Sequence, residues 1–122
     1  MKIGDRYIYE IMAQRVETWG KTAPGEGKYT QVGAVVGATY PDQMKSLREQ
    51  MPNTFFLVPG YGAQGATARD IASAFDVRGE GAVINSSRGI ICAWQKGYDE
   101  KDFVKAAQKE AILMRDAILA QI

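Results

Sequence analysis

Three short apolar runs, each followed by a turn-forming loop and a helix-patterned stretch, most constrain what this chain can fold into. They are Val32–Ala38, Thr54–Val58 and Gly81–Asn85. A run that is apolar at every position suits a strand covered on both faces, as in a parallel sheet. The segments between them read as helices. Ile8, Ile11, Met12, Arg15, Val16 and Trp19 fall at helical spacing over roughly 5–19, with Gly20 as the stop. Residues 21–31 form a polar loop rich in Gly and Pro. Pro41 suits a first helical turn, with Asp42 favourable beside the dipole, and Met44, Leu47 and Met51 give that helix a narrow apolar face before Pro52-Asn53 ends it. Arg48 and Glu49 read as its solvated side. Thr67 caps a helix to about Phe75 that turns Ile71, Ala74 and Phe75 inward, and 76–80 is a turn. Asp99 caps a last helix over about 100–121, with Phe103, Ala107, Ala111, Met114 and Ile118 as its inner stripe.

The order is α-β-α-β-α-β-α, which implies right-handed parallel crossovers. Three strands cannot close a barrel, and a (β/α)8 barrel takes about 250 residues. At 122 residues the chain is roughly half that size. The reading is therefore a single partial-barrel domain over 1–122, the C-terminal half of a (β/α)8 barrel. It begins with a helix, as though cut after a strand that belongs elsewhere.

Composition removes several function classes. Lys+Arg is 15 against Asp+Glu 14, and a net charge of +1 makes no electrostatic case for nucleic acid or an anionic membrane. There is no apolar run long enough to span a bilayer, and Met1–Arg6 has no signal-like apolar core. The single cysteine, Cys92, cannot form an intrachain disulfide, which fits a reducing cytoplasm; beside Ile91 and Ala93 it reads as a small buried residue. Trp19 and Trp94 read as packing residues. Histidine is absent, so Ser-His-Asp and Cys-His catalysis and the commonest zinc ligand are removed. Chemistry here must run on Lys, Arg, carboxylates or backbone amides, and no metal or cofactor is implied.

Two segments carry that chemistry. Pro59-Gly60-Tyr61-Gly62-Ala63-Gln64-Gly65 follows the second strand and precedes a helix. Its glycines let the backbone turn tightly and bring N–H groups to a ligand, at a place where anions are favoured. Gln64 adds a neutral donor. The plain alternative is a tight turn with no ligand. Asn85-Ser86-Ser87-Arg88-Gly89 follows the third strand in the same way. Arg88 offers a planar fork of donors suited to phosphate, and the serines offer hydroxyls and amides. One arginine after a strand is usually a solvated charge. Two such loops after consecutive strands match the phosphate site that barrel enzymes often build after strands seven and eight.

The stretches Val32–Pro41, Leu57–Gly65 and Val83–Ile90, at their mutual spacing, resemble the C-terminal part of orotidine 5′-phosphate decarboxylase, in its longer bacterial variant. The resemblance covers nearly all of the chain from the helix at Tyr7–Trp19 onward. It implies a (β/α)8 barrel, usually dimeric, that converts orotidine 5′-phosphate to UMP and CO2 in pyrimidine biosynthesis without cofactor or metal. By position, Gln64 and Arg88 would hold the 5′-phosphate, assisted by amides near Gly65, Ser87 and Arg88. Pro59, Gly60, Tyr61 and Gly62 would line the pyrimidine pocket and the lid over it. The three strands would be barrel strands six to eight.

The family's catalytic signature is Asp-x-Lys-x-x-Asp in the first half of the barrel, with a carboxylate near the leaving CO2 and a lysine to protonate C6. This chain has no copy. Asp99-Glu100-Lys101-Asp102 contains Asp-x-Lys, but its next acid comes one residue on, and it reads as a helix start. The chain therefore carries no catalytic residue and is expected to be inactive alone. The expected partners are a pyrimidine nucleotide and either a second copy or the N-terminal half of the barrel, with no nucleic acid and no membrane. Two other readings stand beside this one. One is a non-catalytic half-barrel that binds phosphate or serves in assembly. The other is a different phosphate-sugar barrel enzyme, against which the Gly-Tyr-Gly-Ala-Gln-Gly loop argues.

Overall fold

The apolar runs become a parallel three-stranded sheet in the order β3-β4-β5, comprising β3 (Gly33–Val35), β4 (Phe55–Pro59) and β5 (Ala82–Asn85). The structure is a computed structural model that describes residues 1–62 and 65–122. The register pairs Val35 with Leu57 and Leu57 with Val83, and at the upper end Pro59 with Asn85. Hydrogen bonds from Val36 N to Leu57 O and from Ala38 N to Pro59 O, each 3.0 Å, carry the first pairing past the end of β3. The run Val32–Ala38 is therefore in contact with β4 over most of its length.

Five helices accompany the sheet: α1 (Ile8–Thr22), α2 (Pro41–Gln50), α3 (Ala68–Ile71), α4 (Ser87–Ile91) and α5 (Phe103–Leu119). A small antiparallel hairpin, β1 (Lys2–Ile3) with β2 (Arg6–Tyr7), precedes α1. The helix expected over 5–19 is thus displaced toward the C-terminus. Gly20 does not stop it. A Cβ at Gly20 would lie 2.7 Å from Thr30 Oγ1, so this glycine lets the helix and the following loop approach. Asp99 makes no side-chain cap; a 3-10 turn, Glu100–Asp102, leads into α5 instead. The inner stripe of α5 is also shifted. Ala106 and Ile118 are buried, whereas Phe103 and Ala111 are exposed.

The strands are covered on one face only, not on both. Phe56 and Val58 are buried in a core with Val36, Met44, Ile71, Ala74 and Ile118, so the helices lie on that side. The other face is open and apolar: Val35 is 69% exposed, Val83 50%, Leu57 41% and Phe55 40%. A solvated sheet face normally alternates to polar residues. These strands do not, which is why the sequence reads as doubly covered.

Arg48 is the largest departure from the sequence reading. It is buried under the lower ends of β4 and β5. Nη2 donates to Met51 O at 2.6 Å and to Thr54 O, and Nη1 to Gly81 O at 3.3 Å and Ala74 O at 3.4 Å. Its Cζ sits 3.7 Å from the Phe56 ring centre. Burial lowers its pKa, opposed by Tyr29, Asp76 and Glu17. One guanidinium thus satisfies carbonyls at the starts of two strands and the ends of two helical segments.

Nearby, the Asp76 carboxylate accepts from Lys28 Nζ, from Tyr29 Oη at 2.8 Å, and from the amides of Arg78 and Glu80 at 2.8 and 3.0 Å. The Lys28 bond above all, with Tyr29 and the amides, outweighs burial and holds this carboxyl well below the usual carboxylate range. Burial and the bond to Asp76 push the Tyr29 phenol up to about 12. The depressed Asp76 pKa gives stability that is present above the unfolded value of about 3.9 and lost as pH falls through the folded value. The raised Tyr29 pKa gives stability that is complete below about 10 and lost as pH rises toward 12. Urea unfolding across pH should therefore weaken at both extremes. Asp76→Asn should flatten the acid limb; an unchanged acid limb would contradict this assignment.

Candidate functional site: two loops at the upper end of the sheet

Both candidate loops leave the C-terminal ends of neighbouring strands, so the parallel pairing brings them together. The first begins at Pro59, the last residue of β4. Gly60, Gly62 and Gly65 have φ of 104°, 71° and 87°, in the left-handed region that strongly favours glycine. The loop closes on itself: Gly62 N donates to Ala66 O and Gly65 N to Gly62 O, each at 2.9 Å, and Tyr61 bridges to Ala66. The Gly65 amide is therefore engaged inside the loop in this conformation. Gln64, with Ala63, lies outside the described residues.

The returning arm of the loop is anchored twice. Ala66 is buried in the core. Thr67 caps α3, as its sequence position suggests, and Asp70 completes the box by accepting from Thr67 N and Thr67 Oγ1 at 2.7 Å. These bonds lower the Asp70 pKa. Asp70 was not among the sequence-derived candidates, although a Thr with an acid three residues later is the signal of such a box.

The second segment is not a plain turn. Ser87–Ile91 forms the short helix α4, with Ser86 at its N-cap position. The first N–H groups of a helix have no intrahelical acceptor, so the Ser87 and Arg88 amides point outward from its start. Gly89 leaves room for Ser86 Oγ, which would lie 2.5 Å from a Cβ there. Ser87 Oγ donates to Asn85 Oδ1 at 3.2 Å, tying the helix start to the end of β5. Arg88 and Ser87 are exposed.

Tyr61 and Gly62 of the first loop share one cavity of about 760 Å³ with Ser86, Arg88 and Gly89 of the second. Pro59 and Gly60 sit half-buried beside it on the strand end. Cys92 is also only half-buried, and it lines this cavity along with Lys96, which pairs with Glu110 at 2.7 Å. Asp99 pairs with Lys101 at 3.1 Å at the exposed start of the 3-10 turn. Among the described residues, no group of three or more His, Cys, Asp or Glu could hold a metal ion, and no helix is long and apolar enough to cross a membrane.

A parallel sheet with helices on one face, an open apolar second face and two loops at the strand C-termini defines this chain as part of a (β/α)8 barrel. It is 41% identical over 119 residues to the orotidine 5′-phosphate decarboxylase of Clostridium perfringens strain SM101, covering 97% of this chain and 41% of that protein. It is 42% identical over 122 residues to that of Caldicellulosiruptor bescii, covering 100% and 40%. The structure of Leishmania donovani OMP decarboxylase superposes with a TM-score of 0.70 at 31% identity, covering 98% of this chain and 42% of that one. No family model matches the chain. By sequence and by fold, the chain is related to the orotidine 5′-phosphate decarboxylases over nearly all of its length, and it spans about two fifths of the curated relatives it matches.

Proposed function

We propose that this chain is the C-terminal, phosphate-binding portion of an orotidine 5′-phosphate decarboxylase, comprising barrel strands six to eight. The observation that carries the reading is the shared cavity. It sets the Gly-rich loop beside Arg88 at the strand C-termini, where barrel enzymes bind their ligands. Arg88 supplies a bidentate cation, the Ser87 and Arg88 amides supply oriented dipoles, and Gln64 and Gly65 close over the phosphate from the other loop. Pro59, Gly60, Tyr61 and Gly62 border the pyrimidine. The open face, with Val35, Leu57 and Val83, becomes barrel interior once the N-terminal portion closes the sheet, which also pairs its free strand edges. A cytoplasmic location goes with this role.

In the reaction the bond from C6 to the carboxylate breaks, CO2 leaves, and the electron pair left at C6 takes a proton. The carboxylate and lysine that manage those steps belong to the Asp-x-Lys-x-x-Asp segment, which this chain does not contain. The purified chain given orotidine 5′-phosphate is therefore expected to form no UMP, and the chain joined to its N-terminal portion is expected to form it. Turnover by the chain alone, or none by the joined protein, would contradict the proposal.

A further inference from the structure

The open face of the sheet holds one hydrogen-bonding side chain among the described strand residues. Alternation places Gly33, Val35, Phe55, Leu57, Pro59, Val83 and Asn85 on that face, and Asn85 alone of these is polar in its side chain. It sits at the last position of β5, opposite Pro59 and directly before the Arg88 helix. Its carboxamide is already oriented, because Oδ1 accepts the Ser87 hydroxyl at 3.2 Å. That leaves the Nδ2 group, for which no acceptor is present among the described residues. A carboxamide enclosed in an apolar interior needs a partner for its N–H groups, since an unmet donor costs of order 1–3 kcal/mol. The neighbouring open-face side chains can offer none.

We propose that Asn85 is a further ligand-binding residue of this site. Its Oδ1 tethers Ser87, and its Nδ2 donates to a phosphate oxygen of the bound nucleotide. The inference rests on the functional reading above, because it takes the open face to be the barrel interior and the ligand to be phosphorylated.

The test is calorimetric titration of the complete protein with UMP and with uridine, alongside thermal melting. Asn85→Ala should weaken UMP at least tenfold while leaving uridine affinity and the melting temperature unchanged. Asn85→Asp keeps an acceptor for the Ser87 hydroxyl but removes the donor, so it should not recover UMP affinity. UMP binding by Asn85→Ala within threefold of the unaltered protein would overturn the inference. So would recovery by Asn85→Asp, which would reduce Asn85 to a tether. If the unaltered protein fails to distinguish UMP from uridine, the functional reading itself falls and this inference goes with it.

Discussion

Arg88→Ala in the complete enzyme is expected to lower kcat/KM by about 10³-fold, roughly 4 kcal/mol of transition-state stabilisation. The reasoning begins with position. Arg88 stands in the first turn of α4, exposed at the cavity that also receives Tyr61 and Gly62. A guanidinium there meets phosphate oxygens through two parallel charge-assisted bonds. The phosphate is remote from C6, yet binding energy from a non-reacting group can drive loop closure and so appear in the transition state. Arg88→Lys should recover only part of the loss, since an ammonium keeps the charge but not the fork. A loss for Arg88→Ala below about tenfold, ~1.4 kcal/mol, would contradict the role.

The second large effect concerns stability. Arg48→Ala is expected to cost ~3–5 kcal/mol, read as a lower urea midpoint. Four carbonyls, those of Met51, Thr54, Ala74 and Gly81, would lose a charged donor in a place that excludes water, and the Phe56 ring would lose its stacking partner. The cost of burying the guanidinium works against this figure, and the number of carbonyls it serves decides the sign. Arg48→Met keeps a long stem against Phe56 and should recover the packing part only. Total stabilities of about 5–15 kcal/mol make either variant visible. A midpoint within error of the unaltered protein would show that the carbonyls find other partners. The cluster lies at the lower strand ends, opposite the two loops, so Arg48 is a stability residue and not a site residue.

The contrast between these two arginines shows what the sequence made legible. Arg88 stands out because it follows a strand and accompanies a glycine loop at the corresponding position one strand earlier. Both facts are local. Arg48 sits among Lys45 and Glu49 on a helix with a narrow apolar face, and nothing local marks it as buried. Its burial depends on carbonyls contributed by residues far along the chain, at Ala74 and Gly81. Gly20 misleads for a related reason: a glycine after an apolar stripe is the usual helix stop, but here its missing side chain serves contact with Thr30. The strands were legible as continuous apolar runs. Their open face shows that this pattern reports what the complete sheet buries, which is more than these 122 residues cover. Asn85 was visible as part of the second motif. Only the register, by setting it on the open face opposite Pro59, makes it a candidate for the ligand.

The central claim is that the two loops form a grip for the phosphate of a nucleotide. Its most direct test is the affinity of the complete protein for UMP set against uridine, measured by calorimetry with and without Arg88→Ala. The account predicts that UMP binds at least a hundredfold more tightly than uridine, about 2.7 kcal/mol, and that Arg88→Ala removes most of that difference while leaving uridine unchanged. Equal affinities for UMP and uridine, or a preference for UMP that survives Arg88→Ala intact, would contradict it.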